Sequence, residues 1–215
     1  MKLHLPAALA CAAALGAQAA WAGPMGFKGS WMAMGDLGAN WQEVFVNYAL
    51  TSRDAIGLSG LEMKSDDGRL TRRLGEATYT RLALRWNLPE AQANVWIVGG
   101  LGAVSGNDFG GSRVMATPGL LLDYETTRFY ASATARLYRA SGINHDFASA
   151  RLGFSFFEAE YDQTQPWFVI EARRMRGLSE KTEVTPMLRL INRRYFVELG
   201  MNNSSQLRAN FMYTY

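Results

Sequence analysis

From Trp41 onward the chain repeats one habit: a segment of about ten residues alternates apolar and polar positions, then a short polar or glycine-rich break intervenes. In "WQEVFVNYAL", Val44, Val46, Tyr48 and Leu50 stand against Glu43, Phe45 and Asn47. In "TYTRLALRW", Thr80, Leu82, Leu84 and Trp86 stand against Tyr79, Arg81 and Arg85, and in "FYASATARLYR" a row of alanines stands against Arg136 and its polar neighbours. The last residues, "QLRANFMYTY", put Leu207, Ala209, Phe211, Tyr213 and Tyr215 on one side and Arg208, Asn210, Met212 and Thr214 on the other. A period of two is the signature of strands, each with one apolar and one polar face.

Counting these segments predicts about twelve strands, near 25–35, 40–51, 55–64, 74–87, 92–104, 113–124, 128–139, 146–160, 166–176, 182–192, 194–202 and 206–215; a count of ten is the alternative. The breaks tend to alternate in length. "SRD", "LPEAQ", "ETT", "DQTQ" and Arg193-Arg194 are short, whereas "SDDGRLTRR", "SGNDFGGS", "ASGINHD" and "GLSEKTE" are longer; "DLGAN" and "NNSSQ" depart from that rhythm. An even number of alternating strands with short turns at one end and longer loops at the other is the pattern of a bacterial outer-membrane barrel, whose strands of ~9–11 residues cross the bilayer at a tilt. A soluble sandwich or lipocalin-like barrel would alternate too, with its apolar face inward. The polar face favours the membrane reading. It carries Glu43, Arg81, Arg85, Asp123, Arg136, Arg151, Glu171, Arg173, Arg189, Glu198 and Arg208 in mid-strand and lacks the lysines of a solvated surface. Arginine holds a carboxylate in a fork, which suits a confined interior. Trp31, Trp41, Trp86, Tyr124, Tyr161, Trp167, Tyr195 and Tyr215, near strand ends, are then expected as interface anchors.

The amino-terminal "MKLHLPAALACAAALGAQAAWAGP" has Lys2, an Ala-rich apolar run and a small-x-small Ala20-Trp21-Ala22. It reads as a secretory signal peptide over 1–22, cleaved near Ala22, ahead of a barrel over 23–215. The only cysteine, Cys11, lies in that leader, so the remainder can form no disulfide and no thiolate metal site. A net charge of +3 with dispersed basic residues gives no block for nucleic acid, which is not expected as a partner. Twenty-one glycines, 12% aromatics and only 6 prolines suit many strands joined by tight turns.

The leader, the alternating strands and the terminal "FMYTY" together resemble the Gram-negative outer-membrane β-barrel proteins, of a small porin-like class. The resemblance implies an all-β, single antiparallel up-and-down transmembrane barrel in the bacterial outer membrane, with both chain ends on the periplasmic side. It also implies that Phe211, Tyr213 and Tyr215 form the signal read by the barrel-insertion machinery, though Phe is more usual than Tyr as the last residue. Lipid and lipopolysaccharide are the expected surroundings, and small solutes the expected cargo.

By this register the interior holds seven arginines, Arg81, Arg85, Arg136, Arg151, Arg173, Arg189 and Arg208, against four acids, Glu43, Asp123, Glu171 and Glu198. That surplus predicts a passive porin-like channel that prefers anions. If the charges pair and fill the interior, the alternative is a closed structural or accessory barrel, such as one linked to envelope stress or metal export. Neither needs a cofactor. An enzymatic reading, lipid modification, would rest on His145, the only histidine beyond the leader. Its neighbour Asp146 would point to the opposite face of a strand, so no dyad is expected, and the plainer reading is a loop histidine. Met25, Met32 and Met34 are thioethers of the kind that suit Cu(I), but with no cysteine or second histidine they read as apolar filler, and no metal site is assigned. The glycines of "IVGGLG" are expected to ease strand curvature.

Overall fold

A computed structural model of the protein describes residues 23–160 and 162–215. The leader over 1–22 and the anchor expected at Tyr161 lie outside the described residues. Thirteen strands account for most of the rest: β1 (Trp31–Leu37), β2 (Trp41–Ala49), β3 (Asp54–Lys64), β4 (Thr71–Asn87), β5 (Ala91–Gly106), β6 (Phe109–Ala116), β7 (Gly119–Thr126), β8 (Phe129–Ala140), β9 (Ile143–Ser155), β10 (Gln165–Arg176), β11 (Glu183–Asn192), β12 (Tyr195–Met201) and β13 (Leu207–Thr214). Every pairing is antiparallel, and β13 returns to pair with β1 from Met32↔Thr214 to Leu37↔Ala209. The sheet therefore closes on itself, and closure removes every free edge.

β6 and β7 are two halves of one broken strand, since both lie between β5 and β8. The break falls at Thr117-Pro118, where proline has no N–H to give to the ladder. The ring is thus twelve strands around, as the alternation predicted.

The apolar rows face outward. Leu58, Leu101, Val114, Leu152 and Leu199 are each more than 60% exposed on the barrel wall. A soluble protein rarely tolerates an apolar belt of that extent, whereas acyl chains solvate it. Trp31, Trp86, Tyr124, Tyr195, Tyr213 and Tyr215 stand outward at the end where the chain terminates, with Phe129, Phe154, Phe156 and Phe168 beside them. That makes an aromatic girdle at this terminal end. Trp41 and Trp167 depart from the expectation: both point inward and are nearly fully buried in apolar clusters.

The expected asymmetry of loop lengths is absent. At the far end the breaks are 38–40, 65–70, 107–108, 141–142, 177–182 and 202–206, and the longest connection, 156–164, is at the terminal end. The 17-residue β4 and the 16-residue β5 pair as far as Arg72↔Gly106, with β3 following to Lys64↔Thr71 and β6 to Gly106↔Phe109, so residues that read as loop became strand. The first strand likewise begins at Trp31, not near 25. Residues 23–30 turn at Gly29 (φ +83) and fold into the barrel mouth. There Met25 packs with Ala49, Ala55, Leu82 and Trp96, and the Pro24 carbonyl accepts a 2.8 Å hydrogen bond from Asn47 Nδ2.

The interior is layered. An apolar cluster built on Trp41, Leu61, Met63, Met115, Tyr138 and Met175 fills the far end. Clusters around Met32, Trp167 and Phe196, and around Met25 and Trp96, fill the terminal end. Charged side chains occupy the middle.

Candidate functional site: the charged mid-barrel cavity

Ten of the eleven charged residues predicted to face inward do so. Arg81 does not. It lies on the outer wall and pairs with Asp54 at 2.7 Å. The cause is a bulge in β4 between Leu82 and Leu84, where the register with β5 slips. One extra residue reverses the alternation. Before it, Glu76, Thr78, Thr80 and Leu82 face inward; after it, Leu84 and Trp86 face outward and Arg85 inward.

The inward charges form three linked nodes. In the first, Arg136 Nη2 donates to Glu76 Oε1 at 2.6 Å and to Thr117 Oγ1 at 2.8 Å, while Thr117 donates to the other Glu76 oxygen at 2.6 Å. Glu43 completes it, accepting from Ser59 at 3.0 Å with Arg136 3.7 Å away. In the second, Glu198 is fully buried and accepts from Arg189 Nε at 2.5 Å, from Asn210 Nδ2 at 2.6 Å, and from Arg151. The Arg189 guanidinium also lies 4.9 Å from the Tyr130 ring and 5.0 Å from the Phe196 ring, within cation–π range. In the third, Arg173 and Arg208 bridge Asp36 (3.3 and 2.8 Å) and Glu183 (2.9 and 3.6 Å), and Arg208 reaches Glu171 at 3.3 Å. Nearer the terminal end, Asp123 accepts from Asn94 at 2.5 Å and Trp96 Nε1 at 2.6 Å, and Arg85 Nε donates to Asn94.

Three members were missed at the level of sequence. Glu76 lies ahead of the segment whose alternation was counted, although its spacing from Thr78 and Thr80 places it on their face. Asp36 and Glu183 sit at strand ends that read as turn and loop. Adding these three and removing Arg81 leaves Arg85, Arg136, Arg151, Arg173, Arg189 and Arg208 against Asp36, Glu43, Glu76, Asp123, Glu171, Glu183 and Glu198; Arg72, inward and buried nearer the far end, is paired with Asp108. The positive surplus that the sequence register implied is not present in this set.

The nodes surround a cavity of about 240 Å³. Asp36, Glu43 and Glu171 contribute to its wall together with Arg136, Arg151 and Arg189. Trp41, Thr78 and Arg151 also line it, and Trp41 Nε1, Thr78 Oγ1 and Arg151 Nε are buried in its wall without a hydrogen-bond partner. Gly100 makes room for this arrangement. A Cβ there would stand 2.2 Å from Glu76 Oε2, so the glycine leaves room for the carboxylate.

His145 is a correction too. It is not in a loop but in β9, facing inward and 5% exposed. No side chain hydrogen-bonds either of its ring nitrogens. Asp146 faces the other way, pairing with Arg139 and Arg176, so the two form no dyad. The terminal aromatics stand as expected, with Phe211, Tyr213 and Tyr215 outward and Arg208, Asn210 and Met212 inward. The Phe211 ring lies flat over Gly35, where a Cβ would come within 2.1 Å of it.

No protein-family model matches this chain, and neither does any curated protein. Solved structures do. A KdgM porin in complex with disordered oligogalacturonate is similar at a TM-score of 0.50 and 10% identity, over 86% of this chain and 99% of that one. Another KdgM porin structure aligns at 0.49 and 10% identity, over 86% and 98%. OccK8 (OprE) of Pseudomonas aeruginosa aligns at 0.41 and 7% identity, over 85% and 62%. At such identities the shared property is the fold alone, a closed antiparallel β-barrel.

Proposed function

We propose that the protein is a small outer-membrane diffusion channel whose path runs through the charged mid-barrel cavity. The observation that carries this reading is the cavity itself: a space of about 240 Å³, with charged groups set among apolar and aromatic side chains, inside a closed barrel whose outer wall is apolar. The inward charges are paired, as a closed barrel would also have them, but they leave a space between them in place of a filled interior. The cavity leads toward an apolar layer at each end. Layers of that kind gate by excluding water.

The solute class follows from the wall. Three arginines and three carboxylates among apolar and aromatic side chains suit a small solute with both polar groups and apolar faces. Because the inward charges are close to balance, we propose weak charge selectivity in place of the strong anion preference expected from the sequence. Lipid, lipopolysaccharide and the insertion machinery enter this proposal as the surroundings and assembly route that an apolar wall and an aromatic last strand require.

Planar-bilayer recording tests the reading. Discrete conductance steps, with a reversal potential close to zero in a KCl gradient, are expected. A strongly anion-selective reversal would restore the arginine-dominated interior. Silence, both in the native chain and in variants opened at either mouth, would leave the closed accessory barrel, the reading that the apolar layers favour. Oligogalacturonate, the ligand in the KdgM complex, is a reasonable first probe for block of the current.

A further inference from the structure

Eight of the nine described methionines lie inside the barrel; Met201 alone is on the outer wall. The outer wall is built instead from Leu, Val, Ile, Phe and Tyr. The interior methionines also fall at two levels. Toward the terminal end, Met34 is the cross-strand partner of Met212, Met32 lies two positions along the same face, and Met187 belongs to the same contact cluster. The Met187 sulfur is 3.7 Å from Asn210 Nδ2, on the edge of the charged belt. At the far end, Met63, Met115 and Met175 come together from β3, β6 and β10 in one cluster. Ile143 and Phe147 pack there too, and His145 lies between them on the same inward face, with its ring nitrogens unclaimed by any side chain. The nearby Arg72 charge is answered by Asp108.

We infer that these two thioether clusters are sites for a soft monovalent cation, Cu(I) or Ag(I), one on each side of the charged belt. Thioethers are neutral, soft ligands that favour Cu(I) over hard cations. They also need no deprotonation, so binding releases no proton, and the added positive charge is met by the seven carboxylates of the adjacent belt. His145 supplies an imidazole to the far-end cluster. Methionine is also the residue that fills irregular apolar space. What filling alone does not call for is three or more thioethers within one apolar cluster at each of two levels, with a buried imidazole unclaimed by any side chain beside one of them.

The inference does not require the channel to conduct, and its test is separate from conductance. The purified full-length barrel is titrated with Ag⁺, a redox-stable probe, in chloride-free buffer. Bound silver is measured after desalting, and its neighbours are read by X-ray absorption. Two Ag⁺ per barrel with sulfur scatterers are expected. The Met34→Leu/Met212→Leu pair should lose one ion, and the Met63→Leu/Met175→Leu pair the other; His145→Gln should weaken only the far-end ion, about tenfold. Leucine keeps nearly the volume of methionine, and the shift in gel mobility on boiling checks that each variant is folded. Silver bound equally by native and leucine-substituted barrels, or a first shell of nitrogen and oxygen alone in the native protein, overturns the inference without needing any variant to fold.

Discussion

Asp66 and Ser179 are 113 positions apart in the chain, yet Ser179 Oγ donates a 2.6 Å hydrogen bond to Asp66 Oδ1. Asp66 sits in the β3–β4 connection and Ser179 in the β10–β11 connection, halfway round the ring from each other. The same carboxylate accepts from the Glu180 N–H at 3.1 Å and from Asn40 Nδ2 at 3.3 Å. One short side chain therefore holds a strap across the far mouth, directly above the apolar cluster that includes Leu178.

Releasing that strap should open the barrel. In Asp66→Ala the loops 65–70 and 177–182 lose their shared acceptor while every strand pair is left intact. Channel openings are expected to become more frequent in bilayer recordings, with the barrel still shifting on boiling. An unchanged open fraction would mean that the apolar layer beneath, rather than the strap, is the barrier.

The other mouth is occupied by residues 23–30. Asn47→Leu removes the donor that holds the Pro24 carbonyl, and Asn47 is itself buried. The segment should then be cut by added protease at a lower concentration, and conductance should rise. Protection equal to that of the native chain would show that the packing of Met25 against Trp96 suffices to hold it.

Glu198 is the most heavily used carboxylate of the interior. In Glu198→Gln, Arg151 and Arg189 lose their common partner inside the barrel. Breaking a buried pair on one side typically costs about 3–5 kcal/mol. A clear drop in the urea midpoint in detergent is expected, with refolding still possible. Arg81→Ala, on the outer wall, should leave that midpoint within error of the native value, because its pair with Asp54 is exposed.

Gly100→Ala tests the room reserved for Glu76. The added methyl would sit 2.2 Å from the carboxylate oxygen. Overpacking of this kind costs about 1–3 kcal/mol, and here it also pulls Glu76 from Arg136 and Thr117. Lower stability together with altered conductance is the expected pair of results. A stable variant with native currents would remove Glu76 from the conduction path.

The last strand separates assembly from stability. Phe211→Ala with Tyr215→Ala removes two outward rings and no inward contact. Less barrel is expected in the envelope fraction, while the purified chain refolds in detergent at close to the native rate. Equal loss in both assays would make the rings a packing feature rather than an insertion signal.

The alternation of residues by itself determined the fold class, the strand number and the outward side of nearly every strand. It could do so because a closed sheet in lipid must turn one whole row of side chains toward acyl chains, and that demand is local, strand by strand. Tertiary structure decided what alternation cannot see. The bulge at Leu82/Leu84 put Arg81 outside, because one unpaired residue reverses a period of two. Long pairing of β4 with β5 turned expected loops into strand. Trp41, Trp167 and His145 went inward because each sits on the polar row of its strand, whatever its side chain suggests. The balance of charge, the two methionine levels, the strap at Asp66 and the folded-in residues 23–30 all join positions far apart in the chain. Only the circumference of the closed ring brings them within reach of one another.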